Sequence, residues 1–458
     1  MTQVRSREHS GSIDADELAG RIDGAVVVPG DEAWDEARQA WNLAVDQRPA
    51  AVAVPESAGD VVEIVAFASE NGLRVAPQGT GHGGAALGDL ADTILVKLHR
   101  LRGVAVDPES MTARAAAGTI WIEVVEEAAR HGLAALAGSS PDVGVVGYTL
   151  GGGLSWLGRK HGIGANQVTA IELVTADGRL RRVDRDNHPD LFWALRGGGG
   201  NFGVVTAIEF NLFPIREVYA GILWFPVDRA AEILAEWRAW TDGLSDETTS
   251  VGRILQLPPL EEIPEPVRGK SFVVVEVIHA GTEGEGREIV APLRGLGPVM
   301  DTVEQTSVHA LSHLHMDPDH PVPGSGDGMT LDDLDADAID AIVSGVVGSP
   351  LLSVEIRHLE GAIGRSRAEH GALAAFDAPF LLFAIGIAAT PEMGRAVEST
   401  VAELRASLER LESPHTYLNF AETKRDARTL WSETSYHRLR RIKNAVDPQN
   451  VIRSNHEL

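Results

Sequence analysis

The chain has 458 residues, 44% of them hydrophobic, which is enough for a sizeable buried core and for more than one domain. Its 66 acidic and 40 basic side chains give a formal net charge of −26, which repels phosphate backbones and anionic headgroups and argues against nucleic-acid or membrane partners. Cysteine is absent, so disulfides, thiolate nucleophiles, iron–sulfur clusters and Cys-ligated zinc are excluded.

The opening MTQVRSREHSG has no apolar stretch, so no signal peptide is predicted there. The most apolar stretch, Phe380 to Ala389, is strand-sized and too short to span a membrane. A soluble cytoplasmic protein is expected, and the bias toward Arg and Ala points to a GC-rich bacterial genome.

Residues 1–50 read as a polar lead-in with one short helix around Glu32 to Asn42. From Ala51 onward the pattern changes. AVAVP (51–55), LRVAPQ (73–78), TILVKL (93–98) and ARAAAG (113–118) read as strands, with helices from Ser57 to about Glu70 and from Trp121 to His131. Residues 168–183 read as a hairpin turning on Asp177-Gly178, residues 190–197 as a helix, and residues 202–215 as a strand. Beyond Ile215 the expected strands are 219–226, 249–257, 271–281, 351–362 and 379–389. The expected helices are 229–241, 285–296, 332–347 and 391–411. That alternation predicts helices on an antiparallel sheet. Pro318 to Met329 is rich in Pro, Gly and Asp and reads as a loop. Thr423 to Val446 reads as a basic amphipathic helix stopped at DPQNV.

Glycine is clustered at Gly79 to Gly84, at Gly144, Gly147 and Gly151 to Gly153, and at Gly197 to Gly200 with Gly203. Successive N–H groups in glycine-rich turns form concave nests for pyrophosphate. Gly79, Gly81 and Gly84 formally spell the dinucleotide-binding GxGxxG after a strand. The following AALGDLAD is too short for a crossover helix, and the next strand ends in Lys97-Leu98-His99-Arg100 with no acid to hold a ribose. Three such clusters within about 125 residues, each beside a strand, are hard to dismiss as plain turns.

The strings PQGTGHGG (77–84), SSPDVGVVGYTLGGG (139–153), HGIGAN (161–166), DLFWALRGGGGNFGVVT (190–206), YLNF (417–420) and RLRRIKNAVDPQNVIRSNHEL (438–458) together resemble the berberine-bridge-enzyme-like oxidoreductases of the vanillyl-alcohol-oxidase superfamily. The resemblance implies an α+β flavoprotein of two domains. The FAD-binding domain, of two α+β subdomains, would cover 1–215 with its PCMH-type core from about 46. A substrate domain on an antiparallel sheet covered by helices would cover 216–414, and 415–458 would return to the FAD domain.

The resemblance also implies FAD bound covalently. In the family the loop matching Gln78, Gly79, Thr80, Gly81, His82 and Gly83 wraps the pyrophosphate, and its histidine, here His82, bonds to the flavin 8α carbon. A neutral imidazole is a competent nucleophile for that carbon. Many relatives add a second link through a cysteine, where this chain has Ser140, so a single link through His82 is implied. Gly138, Ser139, Ser140, Val143, Gly144, Gly147, Tyr148 and Gly152 match the second flavin loop. Tyr148 stands where relatives often have histidine, and Val143 faces the region where a small β-branched residue goes with oxygen access. Gly203, Val205, Asn419 and Asn455 complete the expected cofactor contacts.

Two further groups of residues could carry chemistry. His309, His313, His315 and His320 lie in HALSHLHMDPDH. The spacing of His309 and His313 suits a metal on a helix, but without a carboxylate pattern such as HExxH the better reading is a polar loop at a substrate mouth, and no metal is expected. In VEIRHLEG (354–361) Glu355, Arg357 and Leu359 share one strand face. The resemblance makes Glu355 and Arg357 candidates for base and orienting residue, against a plain surface ion pair. Relatives commonly carry tyrosine at both Tyr417 and Phe420; with Phe420 here, Tyr417 is the other candidate base. The implied reaction is oxidation of an alcohol or amine of a secondary metabolite, with hydride passing to flavin N5 and O2 as acceptor, in a monomer or homodimer. A carbohydrate oxidase and a flavin-bound scaffold without turnover are the alternatives.

Overall fold

Strand after strand forms where Val and Ile alternate or run together, and three sheets result. The computed structural model describes residues 13–458 except 262 and 264. The reading of residues 1–11 as lacking a signal peptide lies outside the described residues.

The first sheet is mostly parallel, with strands in the order Ala25–Val27, Ala51–Val54, Thr93–Lys97, Arg74–Gln78. Ala58–Glu70 packs on it as a helix. The Ser57 hydroxyl caps that helix by accepting from Asp60 N–H. The Asp60 carboxylate in turn accepts from the N–H groups of Gly24 and Glu56, which ties the strand Ala25–Val27 to the helix start. The second sheet is antiparallel, in the order Val104–Asp107, Thr112–Ala116, Val204–Asn211, Val168–Val174, Leu180–Asp184. Its hairpin turns at Gly178, whose φ of 70° explains the glycine.

The third sheet has eight antiparallel strands, built from residues between Glu217 and Ile387. Helices Ala230–Thr241, Glu283–Gly295, Ala336–Val346 and Pro391–Leu408 cover one face, around a core holding Trp237, Phe225, Phe380 and Val275. Because strand side chains alternate, the residues between these core positions face the other way. Ile222, Arg253, Ser353, Glu355, Arg357 and Phe383 therefore share a second face, which points at the two smaller sheets. The chain then returns. Helix Glu433–Val446 packs on helix Pro189–Leu195, and Ile452 pairs with Val75 beside the edge of the first sheet.

Four expectations are corrected. The helix placed at 32–42 is only Trp34–Ala37. The loop placed at 318–329 ends early, because Gly324–Leu331 is a strand paired along its whole length with Phe380–Ile387. Its GSGDGM sequence lacks the β-branched residues that advertise a strand, and backbone pairing overrides the poor propensity. The helix placed at 423–446 starts only at Glu433, capped by Ser432. Leu359 falls past the end of strand Leu351–His358 and is buried beside Ile163 and Tyr417, away from Glu355 and Arg357. No helix among the described residues is long and apolar enough to cross a membrane.

Candidate active site

A cavity of about 1370 Å³ lies between the smaller sheets and the open face of the large one. One wall is a glycine-rich cradle. The loop after strand Arg74–Gln78 turns at Gly81, whose φ is 95°. Among the described residues, the N–H groups of Thr80, Gly81, His82 and Gly83 donate to no protein acceptor. Side chains added at Gly79 or Gly147 would project into the cavity: the nearest protein atom to a Cβ at Gly79 is a carbonyl oxygen 3.9 Å away, and nothing lies within 4 Å at Gly147. Free N–H groups around space that glycine keeps open fit a bound pyrophosphate. His82 lines this wall, as do Ser139, Ser140, Val143, Tyr148, Asn419 and Asn455. Asn455, from the last residues of the chain, donates to Gly83 O and locks the loop.

The opposite wall carries alternating charges. His315 donates from Nδ1 to Glu276 at 2.7 Å and from Nε2 to Glu355 at 2.7 Å. With a carboxylate on each nitrogen, the ring must carry both protons. Burial and Arg253 push its pKa down, but Glu276, Asp317 and Glu355 outweigh them and raise it to about 9. Arg357 grips Glu355 with Nε at 3.0 Å and a terminal nitrogen at 3.2 Å, and the same nitrogen reaches Ser139 Oγ at 3.2 Å. Burial would raise the Glu355 carboxyl, yet Arg357 and His315 hold it far below the usual carboxylate range. Arg253 closes the ladder, donating to Ser353 Oγ at 2.7 Å and to His315 O at 2.7 Å. The ladder joins the loop around Ser139 to the large sheet.

Tyr417 sits at the floor, almost wholly buried. Its oxygen accepts from Gly153 N–H and Leu154 N–H, both at 3.1 Å, and from Asn419 Nδ2 at 2.8 Å. Burial outweighs these donors and the nearby Arg357 cation, and pushes the phenol up to about 12. Phe420 packs against Phe383 and Tyr417, under the Arg357 guanidinium 5.0 Å from its ring centre. Glu422 also lines the cavity, and burial next to Asp327 raises its carboxyl to about 8.

Comparison with known proteins fits this arrangement. Residues 49–184 match a family described as FAD binding domain, and residues 416–457 one described as berberine and berberine like. The (R)-6-hydroxynicotine oxidase of Paenarthrobacter nicotinovorans is 29% identical over 95% of this chain and 97% of its own. Glucooligosaccharide oxidase of Sarocladium strictum is 33% identical over 41% of this chain and 38% of its own. Among solved structures, 6-hydroxy-D-nicotine oxidase from Arthrobacter nicotinovorans superposes with a TM-score of 0.81 at 27% identity, covering 94% of this chain and 96% of that one. The Physcomitrella patens BBE-like 1 protein, at 18% identity and a TM-score of 0.84 over 97% and 98% of the two chains, speaks for the fold alone. The chain carries the FAD binding domain and the berberine-like segment of an FAD-linked oxidoreductase.

In this FAD-linked oxidoreductase nearly all the residues expected at the cofactor do face the cavity, including Gln78, Gly138, Gly144, Gly203 and Val205. Gly152 does not. It is packed behind the wall, where an added Cβ would lie 2.7 Å from Leu373 and 3.2 Å from the Tyr417 ring. Tyr148 lies on the cradle and donates to Leu136 O at 3.0 Å; burial pushes its phenol well up. His309 and His313 fall in a tight 3-10 turn, Val308–His313, and His309 hydrogen-bonds to Ser307 Oγ at 2.8 Å.

Sequence reasoning missed Arg253, Glu276 and the role of His315. The signal was present. VGRIL and VVVEVI each set one charged residue among apolar ones on a strand. A charge on an apolar strand must find a buried partner.

Proposed function

We propose that this oxidoreductase holds FAD covalently through His82 and oxidises a small amine of secondary metabolism, or an alcohol of the same class, with dioxygen as acceptor. FAD, when bound, supplies N5 as the acceptor of a hydride from the substrate carbon. The protein is read as an FAD unit of residues 1–215 and 415–458 around a substrate unit of 216–414. The observation that carries the reading is the continuity of one cavity from the His82 cradle to the Glu355–Arg357 face of the large sheet.

The choice of amine follows from the proton. Alcohol oxidation requires a base, worth about 10² to 10⁴ in rate. Phe420 offers none, Tyr417 is held neutral by burial, Glu355 is committed to Arg357 and His315, and Glu422, raised to about 8, keeps its proton at neutral pH. A neutral amine donates hydride from its α-carbon with its own lone pair assisting, and needs no such base. Beside the charge ladder, the substrate end of the cavity has apolar side chains, including Ile222, Trp224, Leu255, Phe383 and Ile385. That suits a compact ring compound better than a sugar chain, whose hydroxyls each need a partner. In this reading Arg357 and Glu355 orient the substrate, and Tyr417 holds the Gly153–Leu154 turn.

The test is anaerobic mixing with panels of cyclic amines, alcohols and oligosaccharides, followed by admission of air. The expected result is flavin bleaching by amines first, then rapid return of colour with release of peroxide. Bleaching by sugars alone would replace the substrate class. No bleaching by any panel would leave a flavin-bound protein without turnover.

A further inference from the structure

Asp142 contacts His82 yet has no part in the reaction described above. It is absent from the cavity wall, whereas His82 lines it. Asp142 Oδ1 lies 3.4 Å from His82 Nε2. Both atoms are closed off from solvent, and neither has a hydrogen-bond partner among the described residues. On the other side of the ring Thr80 Oγ1 is 2.7 Å from Nδ1. Trp41 holds both members of the pair. Its rings stack on the imidazole with centroids 4.0 Å apart, and its indole N–H donates to Asp142 Oδ2.

A carboxylate facing one imidazole nitrogen selects the tautomer protonated there and leaves the lone pair on the other. Here Nε2 faces Asp142, so Nδ1 carries the lone pair, with the Thr80 hydroxyl donating to it. Burial works to raise the Asp142 carboxyl, but His82 and Trp41 hold it below the usual range, so it is ionised at neutral pH.

We propose that Asp142 is a positioning residue for flavin attachment, fixing His82 with its proton on Nε2 and accepting that proton as Nδ1 bonds to the flavin 8α carbon. The inference rests on the reading of His82 as the attachment point. The step balances as follows. One N–C bond forms and one 8α C–H bond breaks. Two protons leave, one from the 8α carbon and one from Nε2 to Asp142. The two electrons left on the flavin pass with two protons to dioxygen, giving hydrogen peroxide.

The test compares the parent with Asp142→Asn, Asp142→Glu and Asp142→Ala, each as isolated with its flavin. Covalent flavin is read from intact mass and from the colour of acid-precipitated protein. The parent should be fully linked. Asp142→Asn should carry dissociable FAD that links at least about 10²-fold more slowly, and faster as pH rises. Added formate should speed linkage in Asp142→Ala, which a merely structural role would not produce. Asp142→Asn and Asp142→Ala isolated as fully linked as the parent would overturn the proposal and leave the His82 reading standing. If Asp142→Asn holds no flavin, Asp142→Glu decides: covalent FAD supports the proposal, and FAD that stays dissociable overturns it. A parent that releases its flavin into acid would overturn the His82 reading itself.

Discussion

Tyr417 receives hydrogen bonds from two backbone N–H groups, and that makes its first contribution structural. Tyr417→Phe leaves the Gly153 and Leu154 groups buried without an acceptor, at a cost of about 1–3 kcal/mol each. The melting temperature should fall, while the pH profile of anaerobic flavin reduction keeps its shape. A profile that loses one limb in the variant would make Tyr417 a base after all. His315 gives a second residue-scale expectation. Its pKa is raised from 6.5 to about 9 in the folded protein, so the stabilisation is complete below pH 6.5 and is lost as pH rises through 9. Melting temperatures measured from pH 6 to 10 should decline across that window in the parent and stay flatter in His315→Gln. Equal slopes would mean that the ladder contributes nothing at this ring. Val143 lines the cavity, and Val143→Ile should slow the return of flavin colour in air without slowing its bleaching by substrate. Stopped-flow reoxidation checks this.

At the scale of elements, a buried ammonium ties helix Glu433–Val446 to the segment that follows it. Lys443 donates to Asn201 O at 2.8 Å, Asp447 Oδ2 at 2.6 Å and Ile452 O at 2.8 Å. Lys443→Ala strands the Asp447 charge in the interior, and breaking such a pair costs about 3–5 kcal/mol. Denaturant unfolding should show that loss, with early exposure of residues 451–458 to proteolysis. How far such elements could be read in advance depended on their chemistry. Ser57 before an apolar run and Asp177-Gly178 between two alternating runs announced a helix start and a hairpin, because the local signal and the tertiary role agree. Gly324–Leu331 was illegible for the opposite reason: its strand exists only because Phe380–Ile387 offers a ladder of partners. The cradle was legible because phosphate binding is done by backbone, and backbone freedom is written as glycine. The charge ladder was not, since Arg253, Glu276, His315 and Glu355 are far apart in sequence and meet only when strands and loop are assembled.

The cavity of the whole molecule lies between the two smaller sheets and the large one, so a cofactor bound there would touch both sides. Anything that binds only the folded chain stabilises it in proportion to the logarithm of its free concentration. His82→Ala should therefore melt at a temperature that climbs with added FAD. The parent, if linked, should melt at one temperature whatever FAD is added. A parent as sensitive to FAD as the variant would count against linkage.

The contact of Asn455 with Gly83 also fixes an order of events in time. These residues are 372 positions apart, and the ribosome, at roughly 5–20 residues per second, takes about 20 to 75 s to travel between them. Throughout that interval the first sheet waits with its cradle loop unlatched and its edge uncovered, because Ile452 has not yet been made. Ile452 and Asn455 thus finish the cradle wall only after the whole of the large sheet has been made.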